Sequence, residues 1–308
     1  MSSLLNVDDL FDLSKKNYSP ANDMVIIAGP TGIGKSKIAI ELAKKINGVL
    51  INADSVQVYK DLLLLSARPS KTDMKQVPHY LYGFVDSFIN YSVFDWLLEL
   101  NKVLMDVKIL KKMPILVGGS GLYINAVING LVNIPLITKK TKKESLLKLN
   151  TIGIDNFRQL NFKIDPNFVS KNHDKHRLLR AYDVFLETNK NISFWYEQPR
   201  DNVIKKNIYP FFITSDKKLI YKKCEIRFDE MLKKGAFEEV KKLYFLRLDR
   251  SLPITKSLGV KWLLSYLDNK ISFEDAVILS KRDTRRYVKR QFTWFNHNYI
   301  PYKTLIME

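Results

Sequence analysis

An α/β fold is predicted: a mainly parallel sheet flanked by helices, with a helical segment inserted into it. Three observations predict it. Short apolar runs alternate with amphipathic stretches through the first third of the chain; the strand signal vanishes between about 134 and 199; and a strand-like run resumes at 209.

The elements follow in order. Residues 1–23 read as a polar extension with turn chemistry around Pro20. MVIIAG from Met24 is a buried strand, GPTGIG a glycine-rich turn, and KSKIAIELAKKI an amphipathic helix. VLINAD (49–54) is a second strand ending in a carboxylate; YLYGFV (80–85) and PILVGG (114–119) are two more, separated by the helical VFDWLLELNKVLMDVKILKK. The polar, helical segment 134–199 is read as an insertion, which makes the sheet domain discontinuous over 24–133 and 200–308. YPFFITSD (209–216) returns the chain to the sheet, and from 217 onward it reads as helical with breaks near Gly235 and Pro253. Strands alternating with helices imply parallel pairing, with ligands at the carboxyl ends of the strands.

Composition sets the outer bounds. The 308 residues are 46% hydrophobic, enough for a sizeable core. A single cysteine, Cys224, excludes an internal disulfide framework and a cysteine-based zinc cluster within one chain. The acidic start, with Asp8, Asp9 and Asp12, is unlike a signal peptide, and no apolar run approaches the roughly 18 residues of a membrane helix. The expectation is a cytoplasmic protein with no membrane partner. The net charge of +18 leaves a polyanionic partner and a plain lysine-rich surface equally open.

GPTGIGKS (29–36) fits G-x-x-x-x-G-K-[ST] between a strand and a helix, the P-loop context. Gly29, Pro30, Thr31, Gly32, Ile33, Gly34, Lys35 and Ser36 are therefore the expected phosphate cradle. Loop amides would hold oxygens, Lys35 would supply a cation, and the Ser36 hydroxyl would hold Mg²⁺. The fold class narrows to P-loop NTPase-like. An ordinary P-loop NTPase also places an Asp at the end of a second strand, whereas PILVGGSGLY ends in Gly118, Gly119 and Ser120. The available acid is Asp54, which is placed for acid–base work or for capping the next segment.

Further motifs widen the picture. Asp54-Ser55-Val56-Gln57-Val58-Tyr59 is followed by Ser66-Ala67-Arg68-Pro69, Pro78-His79-Tyr80-Leu81, Gly118 to Tyr123, then Asp174 with Arg177, Arg180 and Ala181, and finally TRRYVKRQFTW from Thr284 to Trp294. This ordered set, spanning roughly 24–296, resembles the tRNA dimethylallyltransferase (isopentenyltransferase) family of bacterial type. The resemblance implies transfer of a dimethylallyl group from dimethylallyl diphosphate to the exocyclic amine of the adenosine on the 3′ side of the anticodon. The tRNAs implied are those reading codons that start with U, with the anticodon stem-loop as RNA partner, Mg²⁺ as cofactor and a monomer as the working unit. Asp54 would take the amine's proton, Ser120 would polarise the donor or fix the amine, and Lys35 would neutralise the leaving diphosphate. Gln57 suits an adenine edge.

RNA contacts are expected from Asp54, Ser55, Val56, Gln57 and Ser120 at the target base, and from Lys142, Arg177 and Arg180 in the insertion. Lys256 and the stripe Arg282, Arg285, Arg286, Lys289 and Arg290 complete the set. Residues 281–290 hold six basic residues and one acid, Asp283, interleaved and followed by aromatic rings, a pattern that serves RNA, core packing or both. This chain departs from the family pattern in Gly-Gly-Ser for G-G-T, in Leu62 to Leu65 where an acid and a glycine are usual, and in Lys142 where the family has Arg. The four histidines have no metal-ligand spacing. A P-loop kinase for a small molecule or nucleoside, and an RNA-binding module without activity, are the alternative readings. A kinase leaves TRRYVKRQFTWF unexplained; a decayed enzyme leaves Lys35, Ser36, Asp54 and Ser120 unexplained.

Overall fold

The computed structural model describes residues 19–202 and 204–307. Residues 1–18 of the polar extension thus lie outside the described residues. The described chain forms two compact units, one from the chain up to Ile128 and after Asn202, the other Asn129–Asn202. The insertion read over 134–199 falls inside the second unit.

The first unit is a sheet of six parallel strands: β1 (Asp23–Ala28), β2 (Gly48–Asn52), β3 (His79–Tyr80), β4 (Met113–Gly118) and, beyond the insertion's strands β5 (Leu131–Val132) and β6 (Arg200–Asp201), β7 (Asn207–Thr214) and β8 (Lys303–Ile306). Their spatial order is β3-β2-β4-β1-β7-β8. Every residue of β1, β2 and β4 is buried, as continuous apolar strands covered on both faces require. Helix α1 (Lys35–Lys45) packs its Ile38, Ala39 and Leu42 face onto β2 and β4. Helices α2 (Lys71–Gln76) and α3 (Val93–Ile109) each begin with a capping box, Ser70 with Asp73 and Ser92 with Asp95. Helix α4 (Gly121–Asn129) leaves the sheet after β4.

In the second unit, α5 (Lys139–Ile164) is broken at Gly153, where φ is 76°. It packs with α6 (Pro166–Val169), α7 (Lys175–Thr188) and α8 (Ile192–Tyr196) around Phe157, Leu178 and Val184. The chain then returns through α9 (Lys217–Lys233), α10 (Ala236–Phe245), a short 3₁₀ turn (Pro253–Lys256), α11 (Val260–Leu267) and the long α12 (Phe273–Asn298). Among the described residues no helix is long and apolar enough to cross a membrane.

Three elements differ from the sequence reading. YLYGFV gives only one residue, Tyr80, to the two-residue β3, because Leu81 (φ 62°) and Gly83 (φ 58°) turn the backbone left-handed; Val85 keeps one isolated bridge to Tyr59. The insertion is not purely helical: β5 and β6 pair antiparallel, too short to leave a periodicity. The chain end is not purely helical either, since KTLI forms the edge strand β8 beside β7.

Trp96 of α3 is fully buried, its ring 4.5 Å from that of Tyr123, and its indole N–H donates to the Asn52 carbonyl at 3.0 Å. Trp96→Ala is expected to cost about 3–5 kcal/mol, read from the urea midpoint and slope. A loss below about 1 kcal/mol would mean that the indole is not what fixes the end of β2.

Candidate active site at the carboxyl ends of the strands

The P-loop leaves β1, with Gly34 at φ 94° turning the chain into α1. No acidic residue stands in the first turn of α1, so its amides and its helix dipole remain available to an anion. The Lys35 ammonium donates to the Pro30 carbonyl at 2.8 Å, which leaves two of its three protons for a ligand. The side chain is partly exposed overall, but its ammonium end is enclosed. Burial lowers its pKa to about 8, with Asp54 acting in the opposite direction and Arg227 reinforcing the fall.

β2 delivers Asp54. Asn52 organises the turn: its Oδ1 accepts the Asp54 N–H at 2.8 Å, and its Nδ2 donates to the carbonyls of Asp54 and Leu81 at 2.9 and 3.0 Å. Asp54 Oδ1 accepts the Val56 N–H at 2.9 Å, leaving the other carboxylate oxygen for a proton. β4 delivers the Gly118-Gly119-Ser120 turn. A Cβ on Gly118 would lie 2.1 Å from the Ala53 carbonyl oxygen, so only glycine permits this approach. Ser120 Oγ accepts the Ser55 N–H at 3.0 Å, lies 3.4 Å from Ser55 Oγ, and stands near the Tyr287 side chain. Burial first, then the nearby Asp54, pushes the Tyr287 phenol well above its usual range and keeps it a neutral hydrogen-bonding group.

A cavity of about 310 Å³ opens between these ends. Of the expected site residues, Thr31, Asp54, Ser55, Val56, Lys256 and Arg290 line it. Ser120 is 8% exposed and stands behind Ser55, outside the lining. The Gln57 amide is used on the carbonyls of Ser66 and Ala67, at 2.9 and 3.1 Å, holding the neighbouring loop. From the other side Glu239 of α10 accepts the successive N–H groups of Leu63, Leu64 and Leu65, the last two at 2.9 and 3.1 Å. Leu62 and Leu65 of that loop, with Phe228 and Met231 of α9, give the cavity its apolar wall.

The basic stripe of α12 divides by partner. Arg285 is paired with Glu225 on α9, and Arg282 with Asp283 at 3.3 Å while its guanidinium lies 5.6 Å from the Trp262 ring. Arg286 is exposed with a longer contact to Asp283 at 3.8 Å; Lys289 is exposed, and Arg290, also exposed, stands 5.7 Å over the Tyr287 ring. In the second unit Lys142 is exposed in the first turn of α5. Arg177, held by Asp174 at 3.2 Å and Asn172 at 2.6 Å, shares a groove with Arg180, Lys171, His176 and Tyr196. Among the described residues no group of three or more His, Cys, Asp or Glu side chains could hold a metal ion.

Sequence reasoning missed Arg227, Gln291 and Tyr287. Arg227 donates to Thr31 Oγ1 at 2.7 Å and puts a second cation beside the P-loop. Its sequence context, IRFDEML, reads as an unremarkable amphipathic helix. Gln291 did leave a signal, a polar residue within an apolar face that also holds Val288, Phe292 and Phe295.

Residues 57–298 match the family model described as IPP transferase. The tRNA dimethylallyltransferase of Bartonella henselae is 39% identical over 280 residues, covering 90% of this chain and 96% of that protein. That of Ehrlichia ruminantium is 36% identical over 281 residues, covering 90% and 93%. The tRNA isopentenylpyrophosphate transferase of Bacillus halodurans superimposes with a TM-score of 0.67 at 30% identity, covering 93% and 89%. A eukaryotic dimethylallyltransferase captured acting on tRNA gives 0.76 at 28% identity, covering 89% and 70%.

The lowered Lys35 pKa fixes a pH dependence. Between 10.5 and about 8 the unfolded chain holds this proton and the empty folded site does not, so this group's contribution to stability falls as pH drops through that window. Ligand affinity runs the other way, since the ammonium is present only below about 8. Affinity for a monoalkyl diphosphate, whose own last ionisation is complete by about pH 7, is expected to fall as pH rises from 7.5 to 9.5. Calorimetric titration checks this, with Lys35→Arg, which stays charged, as the flat reference. Parallel profiles for the two proteins would remove Lys35 as the titrating partner.

Proposed function

The chain belongs to the IPP transferase family, and from that membership we propose that it transfers the dimethylallyl group of dimethylallyl diphosphate to the exocyclic amine of the adenosine 3′-adjacent to the anticodon, in tRNAs reading codons that start with U. The proposed setting is a monomer in the cytoplasm. The observation that carries the reading is the cavity itself: the Asp54 carboxylate lines it together with Thr31 of the P-loop and the cations Arg227, Lys256 and Arg290, while Lys35, outside the lining, is near enough to feel the charges of Asp54 and Arg227. β4 ends in Gly118-Gly119-Ser120, with no acid where a phosphoryl-transfer site places its Mg²⁺ ligand, and this disfavours the kinase reading.

The chemistry follows from the residue types. The amine lone pair forms the new C–N bond as the allylic C–O bond breaks, and diphosphate departs with that electron pair. Loop amides, Lys35 and Arg227 stabilise the developing negative charge. The amine becomes acidic only as it becomes cationic, so Asp54 receives its proton during attack rather than before it. Ser120 acts from behind the wall, holding Ser55 in place through its Oγ. Ser36 is exposed at the start of α1 and offers one hard oxygen, a fit for Mg²⁺, which takes most of its ligands from water and substrate phosphates. When bound, the ion would offset charge on the leaving diphosphate.

Purified protein incubated with Mg²⁺, labelled dimethylallyl diphosphate and unmodified tRNA should place label in the RNA; ATP turnover without labelled RNA would hand the site to the kinase reading. Asp54→Asn is expected to bind donor and tRNA normally while kcat drops by about 10²–10⁴. Equal losses of binding would make Asp54 structural.

The division of the α12 stripe gives a second expectation. Neutralising Arg286, Lys289 and Arg290 should weaken tRNA binding and lower the slope of log K against log salt by about 0.7–0.9 per lost phosphate contact. Arg285→Gln, whose parent side chain is paired with Glu225, should change that slope least. An unchanged slope in the triple variant would place the RNA elsewhere.

A further inference from the structure

Gln291 occupies a position where an apolar side chain would be ordinary. It lies on the inward face of α12 among Val288, Phe292 and Phe295, and is 5% exposed. Both ends of its amide are used. Oε1 accepts the Thr31 N–H of the P-loop at 3.0 Å, and Nε2 donates to the Gly119 carbonyl at 2.8 Å. One side chain thus spans the loop after β1 and the turn after β4.

The neighbouring turns of α12 reinforce this. Tyr287, four residues earlier, has its phenol near Ser120. Trp294, three residues later, lies against Gly121, where a Cβ would come within 2.3 Å of its indole carbon Cδ2. Gly119 itself has no room for a side chain, since a Cβ there would stand 2.4 Å from Gln291 Nε2. Thr31 is gripped at both ends, its amide by Gln291 and its hydroxyl by Arg227. A buried amide is destabilising unless both ends are paired. Filling space alone would be met better by Leu or Met, so the polar choice points to geometry.

We propose that Gln291 is a positioning residue for the transfer reaction, setting the distance between the diphosphate loop and the Gly119–Ser120 turn from the helix whose outer face meets RNA. The proposal rests on the prenyl-transfer reading. Gln291→Glu keeps an acceptor for Thr31 but sets a carboxylate against the Gly119 carbonyl. Gln291→Met fills the volume and loses both hydrogen bonds. Gly119→Ala breaks the same tie from the opposite side.

The test uses the full chain. Affinity for inorganic diphosphate with Mg²⁺ is measured by calorimetry, donor KM and kcat in steady state, tRNA Kd by filter binding, and the melting temperature by calorimetry. The expected result for Gln291→Met is about a tenfold rise in donor KM and diphosphate Kd, about a tenfold fall in kcat, and a tRNA Kd within about twofold of wild type. Gly119→Ala should show the same pattern, and its combination with Gln291→Met should add little. A lower melting temperature with unchanged KM, kcat and diphosphate Kd would overturn the proposal and leave Gln291 a packing residue. A raised tRNA Kd with unchanged donor parameters would overturn it in favour of a role on the RNA face. A wild-type chain that binds diphosphate but never labels RNA would defeat the transfer reading, while the diphosphate affinities of the variants still decide the role of Gln291.

Discussion

The site depends on backbone meeting backbone at the end of β4. Gly118 approaches Ala53 so closely that the two strands touch without an intervening side chain, and the Ala53 amide and carbonyl bond to Val117 and Ser120 at 2.8 and 3.3 Å. The residues that follow each strand, Asp54 and Ser55 on one side and Gly119 and Ser120 on the other, are therefore neighbours by construction. Pairing of β1 with β4 sets the P-loop beside that turn. Parallel strands ending at one level turn separate segments of sequence into one wall, which is why open α/β sheets bind ligands there.

Electrostatics then separates charges that a sequence presents as equivalent. Burial does most to lower the Lys35 pKa, and the Arg227 guanidinium beside the P-loop lowers it further, against the opposing pull of Asp54. An empty site with two confined cations is unfavourable by itself and is relieved by an anion. On α12 the opposite holds for Arg285 and Lys281, whose partners Glu225 and Asp229 lie on α9 and fasten the two helices together. One helix thus carries both structural cations and cations left to a polyanion.

Much of this was legible in the sequence. The strand–P-loop–helix run and VLINAD are dense local patterns, and a fully apolar strand or a G-x-x-x-x-G-K-S turn leaves little alternative to the backbone. What remained hidden depends on contacts between distant segments. Gln57 has the donor and acceptor atoms for an adenine edge, yet its amide is taken by the carbonyls of Ser66 and Ala67. Arg285 and Arg286 are adjacent in the chain, and only the placement of Glu225 separates their roles. β8 is a four-residue edge strand whose single buried residue, Leu305, gives no alternation to read. Arg227 was invisible because the reason for its charge, Thr31, is 196 residues away.

The grip of Glu239 on the loop at Leu62–Leu65 works through the main chain alone. Three consecutive amides converge on one carboxylate, and Gln57 answers from the far side through carbonyls. Such a fastening is indifferent to what residues 63, 64 and 65 carry; it asks only that each bring an N–H. An acid, a glycine or a leucine satisfies that requirement equally, whereas proline at any of the three would remove a strand of the knot. The loop's departure from its family's usual letters is a change of cladding over an unchanged joint, and drift in its side chains is free to reshape the cavity's apolar wall without loosening the loop.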